Sequence, residues 1–121
     1  MKQLIIEATQ QTPYIYLDAD KGYLKISGFS IPEDPYATFN PVRDWVLEYI
    51  KSPAPKTVFE LDIPYYNTSS FKYVVSIIKI LEKIDTKKHK VIIKWHQNHD
   101  EEDEIVNAII NLPFKLIKKK N

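Results

Sequence analysis

The fold of this chain is set by residues 57–95, TVFELDIPYYNTSSFKYVVSIIKILEKIDTKKHKVIIKW, in which two strand patterns flank one helix pattern. In the strand predicted at Thr57–Ile63, apolar side chains alternate with acidic ones, as in a strand with one buried face. Apolar residues then recur at three and four residue steps from about Ser69 to Ile84, and Val91–Trp95 forms a second apolar run. Strand, helix and strand in this order predict a right-handed β–α–β unit with parallel strands.

Three shorter strand patterns precede this unit, at Leu4–Ile6, Tyr14–Leu17 and Tyr23–Ile26. Each is a short run that combines aliphatic residues with β-branched or aromatic ones. The residues between the last two patterns are turn formers, with Gly22 able to adopt positive φ. We therefore expect antiparallel strands at the N-terminal end of the fold.

Two further helices are predicted on either side of the central unit. The first begins at Pro41, with Asn40 as its N-cap, because proline at the first helical position loses no hydrogen bond. The other begins in the acidic residues 100–104 and runs to Leu112, since carboxylates suit the positive end of a helix dipole. A last edge strand is predicted at Phe114–Ile117.

This order of elements predicts one α/β domain over residues 1–121. Its N-terminal antiparallel strands are followed by alternating helices and strands in one mixed sheet, which makes a sandwich of helices on a sheet. The basic residues 118–121 are expected to be a frayed tail. A length of 121 residues, with 44% apolar and 27% charged residues, is typical of one soluble domain.

Charge and cysteine content exclude several classes of function. The formal charge of +1 lacks the broad positive field that nucleic acid or an anionic membrane attracts, so neither is an expected partner. The absence of cysteine excludes disulfides, thiolate zinc sites and cysteine nucleophiles, and it suits a reducing compartment. No apolar run approaches the roughly 20 residues that span a bilayer, and we expect no signal peptide. The expected location is cytoplasmic.

The segment between the central strand and helix carries an excess of polar side chains. A helix N-terminus needs one capping side chain, and Ser69 or Thr68 is expected to provide it. The polar side chains that are not needed for capping lie next to Tyr65 and Tyr66, and together they predict a surface that is displayed to a partner. A phosphate on one of these hydroxyls would be tolerated at a helix N-terminus but not beneath a docked protein. The polar run is Asn67, Thr68, Ser69 and Ser70.

Four segments of the chain, in this order, resemble the SiaC family of bacterial regulatory phosphoproteins. They are Ile31–Asp34, Asp44–Val46, Tyr65–Lys72 and Val91–Trp95, with Asp34 standing where the family usually has Asn. The Asn-Thr-Ser-Ser run in the third segment is the most specific of them. The resemblance covers nearly the whole chain and implies a STAS-like fold, similar to that of anti-sigma-factor antagonists.

The resemblance also implies a function. Family members are switched by a Ser/Thr protein kinase and a PP2C-type phosphatase, and the unphosphorylated form binds and activates a diguanylate cyclase. By motif, the phosphoacceptor is Thr68. The residues implied in partner binding are Glu33, Asp34, Tyr65, Tyr66, Asn67, Ser69 and Ser70.

Two other functions stay open on the sequence. A STAS-like anti-sigma-factor antagonist would keep the fold and change the partner. A small metal-dependent hydrolase would use Glu33, Asp34 and residues 96–103, where His96, His99, Asp100 and Asp103 lie at three and four residue steps.

Simpler roles are expected for the residues that the hydrolase would need. Glu33 and Asp34 suit the start of a helix, His96 and the residues up to Asp103 suit a solvated loop, and Trp95 suits the core. The chain contains no Gly-rich phosphate loop, His-Glu-x-x-His run or nucleophile elbow. The sequence therefore predicts no catalytic residue, no metal and no cofactor.

Overall fold

The computed structural model describes residues 1–97 and the backbone of residues 115–120. The helix predicted from residues 100–104 to Leu112, together with His99, Asp100 and Asp103, lies outside the described residues. No helix in the described part of the chain combines the length and the apolar character that crossing a bilayer requires.

Within the described residues, six strands form one sheet in which spatial order follows chain order. The first three strands pair antiparallel, and the third to the sixth pair parallel. This confirms the predicted mixed sheet with antiparallel strands at its N-terminal side. The strands are β1 (Leu4–Ile6), β2 (Tyr14–Asp18), β3 (Tyr23–Ser27), β4 (Lys56–Asp62), β5 (Lys90–Gln97) and β6 (Lys115–Lys120).

Two of the connections between parallel strands are helices, α1 (Pro35–Tyr49) and α2 (Thr68–Glu82). The two helices contact each other, and the rings of Phe39 and Tyr73 stack across them with centroids 5.2 Å apart. Both helices bury apolar side chains in the same core as the central strands, where each fully buried large side chain contributes about 1.5–3 kcal/mol. Trp95 is only 1% exposed, so its predicted place in the core is confirmed.

The turn between β2 and β3 requires glycine at its last position. Gly22 has a φ of +62°, which confirms the positive φ expected from the sequence. A Cβ atom there would lie 2.2 Å from the carbonyl oxygen of Lys56, and the Gly22 carbonyl accepts the N–H of Val58 at 2.8 Å. The turn can therefore approach β4 only because this residue has no side chain.

Helix α1 begins six positions before the predicted start, so Asn40 is not its N-cap. The carboxylate of Asp34 accepts the N–H of Ala37 at 3.0 Å, and Pro35 follows at the first helical position. Pro41 lies inside the helix, where it removes one internal hydrogen bond. The chain carries two successive pairs of a capping residue and a proline, and the earlier pair starts the helix because it adds six helical residues, more than one and a half turns.

The basic C-terminal segment is paired rather than frayed as far as Lys120. Strand β5 extends two residues past Trp95, and its backbone pairs with Lys118–Lys120 in parallel register. The expected frayed tail is therefore wrong for these three residues. Lysines on a sheet edge also discourage pairing with another chain, which agrees with their position on the last strand.

Candidate functional site

The loop that joins β4 to α2 is fixed by backbone hydrogen bonds to the segment that follows β3. The Ser30 N–H donates to the Tyr65 carbonyl at 2.9 Å, and the Asn67 N–H donates to the Ser30 carbonyl at 3.0 Å. Two residues before Ser30, the Gly28 N–H donates to the Asp62 carbonyl at 2.9 Å. These bonds continue the parallel pairing of β3 with β4 beyond the sheet, so the loop is a rigid platform.

Two buried hydroxyls lock this platform to the first turn of α2. The Ser70 hydroxyl donates to the Ser30 carbonyl at 2.9 Å and lies 2.7 Å from the Ser30 hydroxyl. Both residues are 0% exposed. The sequence predicts Ser70 as part of a displayed surface, and this is wrong because its side chain lies beneath that surface and holds it in place.

Asn67, rather than Ser69 or Thr68, caps α2. Its side-chain oxygen accepts the N–H of Ser70 at 3.0 Å and the hydroxyl of Ser69 at 2.9 Å, and its own backbone is extended. The helix starts one residue earlier than predicted, which moves the capping position back to Asn67. The same side chain therefore satisfies a helix amide and engages the Ser69 hydroxyl.

Thr68 is left as the uncommitted hydroxyl of the polar run. It is the first residue of α2 and is exposed. Its three polar neighbours in the run are engaged with each other or with Ser30. In the described part of the chain, no side-chain hydrogen bond involves Thr68, so its hydroxyl is accessible to a modifying enzyme.

We expect the capping geometry to show in the stability of single alanine variants. Asn67→Ala should lower the free energy of unfolding by about 1 kcal/mol, because an amide of the first turn loses its acceptor. Thr68→Ala should change it by less than about 0.5 kcal/mol, as for an exposed side chain without partners. Urea denaturation of the two variants and of the unchanged protein measures both values. A larger loss for Thr68→Ala than for Asn67→Ala would contradict the assignment of the cap.

Large apolar side chains lie exposed around the Thr68 loop and at the start of α1. Tyr65 is 60% exposed and Phe29 is 47% exposed, and their rings meet edge to face with centroids 5.3 Å apart. Ile31 and Tyr36 are 43% and 64% exposed. Exposed aromatic side chains of this kind are typical of protein-binding surfaces. The sequence analysis predicted no binding role for Phe29, Ile31 or Tyr36. Phe29 and Tyr36 are apolar residues between predicted elements, and Ile31 stood out only as the first residue of a segment that resembles the SiaC family.

The remaining predicted partner-binding residues have mixed roles. Tyr66 is half-buried, and its ring meets that of Trp95 edge to face with centroids 6.5 Å apart. Glu33 and Asp34 are both exposed, and the expected helix-start role is confirmed for Asp34, which caps α1. Glu33 thus offers an exposed carboxylate beside the capping residue.

A second polar cluster, which the sequence analysis missed, joins three strands. The Tyr23 hydroxyl donates to one oxygen of the Glu60 carboxylate at 2.7 Å, and His96 bonds to the other oxygen. Glu60 and His96 are each 8% exposed, and the second ring nitrogen of His96 lies 3.9 Å from the Asp62 carboxylate. The expectation that His96 is a solvated loop residue is wrong, because β5 continues past Trp95 and brings it beside Glu60.

The surroundings of Glu60 shift its pKa in opposing ways. Burial alone would raise the pKa of this carboxyl, but hydrogen bonds from Tyr23 and His96 and the nearby charge of Lys94 outweigh it, so the pKa is lowered. Burial and the bond to Glu60 raise the pKa of Tyr23. Residues 1–97 contain no group of three potential ligands arranged to hold a metal ion. The bonds of Glu60 to Tyr23 and His96 link β3, β4 and β5.

Glu60→Gln is expected to make stability less sensitive to acid. Because the folded-state pKa of Glu60 is lowered, its ionised form stabilises the fold above the unfolded-state pKa of about 4.3, and this contribution disappears as the pH falls through the folded value. The variant should lose about 1–2 kcal/mol at pH 7 and progressively less towards pH 3. Urea denaturation between pH 3 and 7 measures the difference. Glu48→Gln, which removes an exposed pair with Lys51, is the control and should change little. A loss that is equal at every pH would contradict this role of Glu60.

The model of the SiaC family of regulatory phosphoproteins matches residues 6–118 of this chain. The chain belongs to the SiaC family. An uncharacterised protein of Pseudomonas aeruginosa strain UCBPP-PA14 is 34% identical over 102 residues, which cover 84% of this chain and 81% of that protein. Asp34 caps α1, a position at which Asp and Asn serve about equally well.

Solved structures of SiaC proteins share the fold of this chain. The crystal structure of apo-SiaC from Pseudomonas aeruginosa has a TM-score of 0.88 at 30% identity, covering 98% of this chain and 99% of that one. SiaC in the crystal structure of the diguanylate cyclase SiaD with its activator SiaC, from the same organism, has a TM-score of 0.85 at 29% identity, with coverage of 98% and 99%. The mixed α/β fold is therefore that of the SiaC family, and the implied likeness to STAS domains stays a prediction.

Proposed function

We propose that this chain is a regulatory phosphoprotein whose unphosphorylated form binds and activates a diguanylate cyclase. A Ser/Thr protein kinase phosphorylates Thr68 and so blocks the binding, and a PP2C-type phosphatase reverses the change. The observation that carries the proposal is the exposed, uncommitted hydroxyl of Thr68 at the start of α2. The activator role of the related SiaC towards SiaD in Pseudomonas aeruginosa supports the choice of target.

The physical basis of the switch is the cost of covering a phosphate. A phosphorylated threonine carries about −1.5 to −2 charges, which the free amides and the dipole of a helix N-terminus tolerate in water. A partner seated on Tyr65 and Phe29 would have to remove water from that phosphate, and burying a group that keeps a net negative charge costs several kcal/mol. The fold of the free protein is therefore preserved while the complex is lost.

The other residues of the site have one of two proposed roles: they contact the cyclase, or they hold the loop and the helix starts in place. Tyr65, Phe29 and the exposed carboxylate of Glu33 are the proposed contacts with the cyclase. The supporting residues, which fix the loop and the two helix starts beside it, are Asp34, Tyr66, Asn67, Ser69 and Ser70. In this account the protein acts in the cytoplasm as an adaptor, without catalysis, cofactor, nucleic acid or membrane.

The site of modification is tested by co-expression with a cognate Ser/Thr protein kinase, followed by intact-mass measurement and peptide mapping. We expect a single added phosphate, located on Thr68. Thr68→Val, which keeps the shape of the side chain, should abolish the modification, whereas Ser69→Ala should not. Phosphate on another residue, or none at all, would overturn the proposal.

The identity of the target is tested by capture from a lysate of the source organism with the unphosphorylated protein as bait. We expect a diguanylate cyclase, and the amount captured should fall when the bait is phosphorylated. Recovery of an anti-sigma factor instead would contradict the cyclase as target and would indicate that the chain is a STAS-like anti-sigma-factor antagonist.

A further inference from the structure

Lys72 lies one helical turn after Thr68 on α2. Both side chains are exposed. Residues four positions apart share one face of a helix, with about 5–6 Å between their Cβ atoms. The amine of Lys72 can therefore reach a group attached to the hydroxyl of Thr68.

The positions around Lys72 hold no acidic side chain with which it could pair along the helix. Positions three and four residues away are occupied by Thr68, Ser69, Val75 and Ser76. Within the described residues, no salt bridge or hydrogen bond involves the side chain of Lys72. By contrast, Lys51 at the end of α1 pairs with Glu48 at 3.0 Å. Phosphorylation of Thr68 would supply the anion that Lys72 lacks.

The direction of such a pair along the helix is the favourable one. An anion placed four residues before a cation on a helix is more stabilising than the reverse order. Thr68 is the first residue of α2, so its phosphate would lie at the positive end of the helix dipole. The dipole and the amine therefore act on the phosphate together.

We propose that Lys72 is the intramolecular counter-charge of phosphorylated Thr68. This inference rests on the proposed function, since it concerns the modified form of the same site. The pair holds the phosphate along the first turn of α2 and favours its dianionic form. Before phosphorylation, positions 68 and 72 together carry the +1 charge of Lys72. After it, they carry a net charge of about −1, so the charge of this part of the surface changes sign. The phosphate also takes Lys72 away from any carboxylate of a docked partner.

The test is a titration of the phosphate by phosphorus NMR, in protein that carries phosphothreonine at position 68 from translation onward. The second pKa of a phosphothreonine is about 6. We expect it to be higher by about 0.3 units in Lys72→Gln than in the otherwise unchanged phosphoprotein, because the dianion loses its counter-charge. Lys72→Arg should restore the lower value.

Lys79 is the matched control. It is an exposed lysine on the same helix, but it lies too far along α2 to reach position 68. Lys79→Gln should leave the phosphate pKa unchanged, and 0.5 M salt should reduce the effect of Lys72→Gln. Equal pKa values for the unchanged phosphoprotein and Lys72→Gln would overturn the inference. Because phosphothreonine is installed without a kinase, this outcome is independent of whether a kinase modifies Thr68 or a cyclase binds the protein.

Discussion

The double variant Phe29→Ala with Tyr65→Ala is expected to bind the proposed cyclase target about 100-fold more weakly, a loss of about 2.7 kcal/mol. The two rings meet edge to face on the surface of the free protein, and Tyr65 lies in the loop three residues before Thr68. Aromatic side chains at the centre of an interface commonly contribute 2 kcal/mol or more when truncated. Isothermal titration calorimetry with the purified cognate cyclase measures the change.

The control for this prediction is an exposed apolar residue elsewhere on the molecule. Ile5 on the edge strand β1 is 49% exposed, close to the 47% of Phe29. Ile5→Ala should leave the affinity for the cyclase unchanged. The stability of both variants should stay within about 1 kcal/mol of the unchanged protein, since the altered side chains are exposed. An unchanged affinity of the double variant would remove Phe29 and Tyr65 from the docking surface.

Ser70→Ala is expected to lower the free energy of unfolding by about 2 kcal/mol, although it removes only one oxygen atom. The variant leaves the buried Ser30 hydroxyl without its partner, and an unsatisfied buried polar group costs about 1–3 kcal/mol. Urea denaturation measures the loss. Ser69→Ala, which removes a hydroxyl that is not fully buried, should cost clearly less.

The variant that lacks both buried hydroxyls distinguishes a coupled pair from two separate contributions. Ser30→Ala with Ser70→Ala should cost less than the sum of the two single changes, because no polar group is then left without its partner. Additive losses would show that the two hydroxyls do not act as a unit. A loosened platform should also weaken cyclase binding, since the loop would have to be ordered again on docking.

The parts of the fold that were predictable from the sequence are those with a local period. The alternation in β4 and the helical spacing in α2 are patterns of neighbouring residues, so the parallel unit and the mixed sheet followed from them. Helix starts were less predictable. A shift of one residue in the start of α2 is enough to make Asn67 the cap instead of Thr68 or Ser69. At Asp34 and Asn40 the chain offers two competing signals of the same kind.

The contacts that shape the site were not predictable because they join residues far apart in the chain. Ser30 and Ser70 are separated by 40 positions, and Glu60 and His96 by 36. No spacing rule connects such pairs. The polar run itself was conspicuous, but only the structure separates its members into a cap, a buried lock and the free hydroxyl of Thr68.

The most direct measurement is the affinity of one purified cyclase for two forms of this protein, unmodified and fully phosphorylated at position 68. The account predicts that phosphorylation weakens binding at least 100-fold, while Thr68→Val binds like the unmodified protein because it adds no charge. It also predicts that phosphatase treatment restores the original affinity. Equal affinity of the cyclase for both forms would contradict the account.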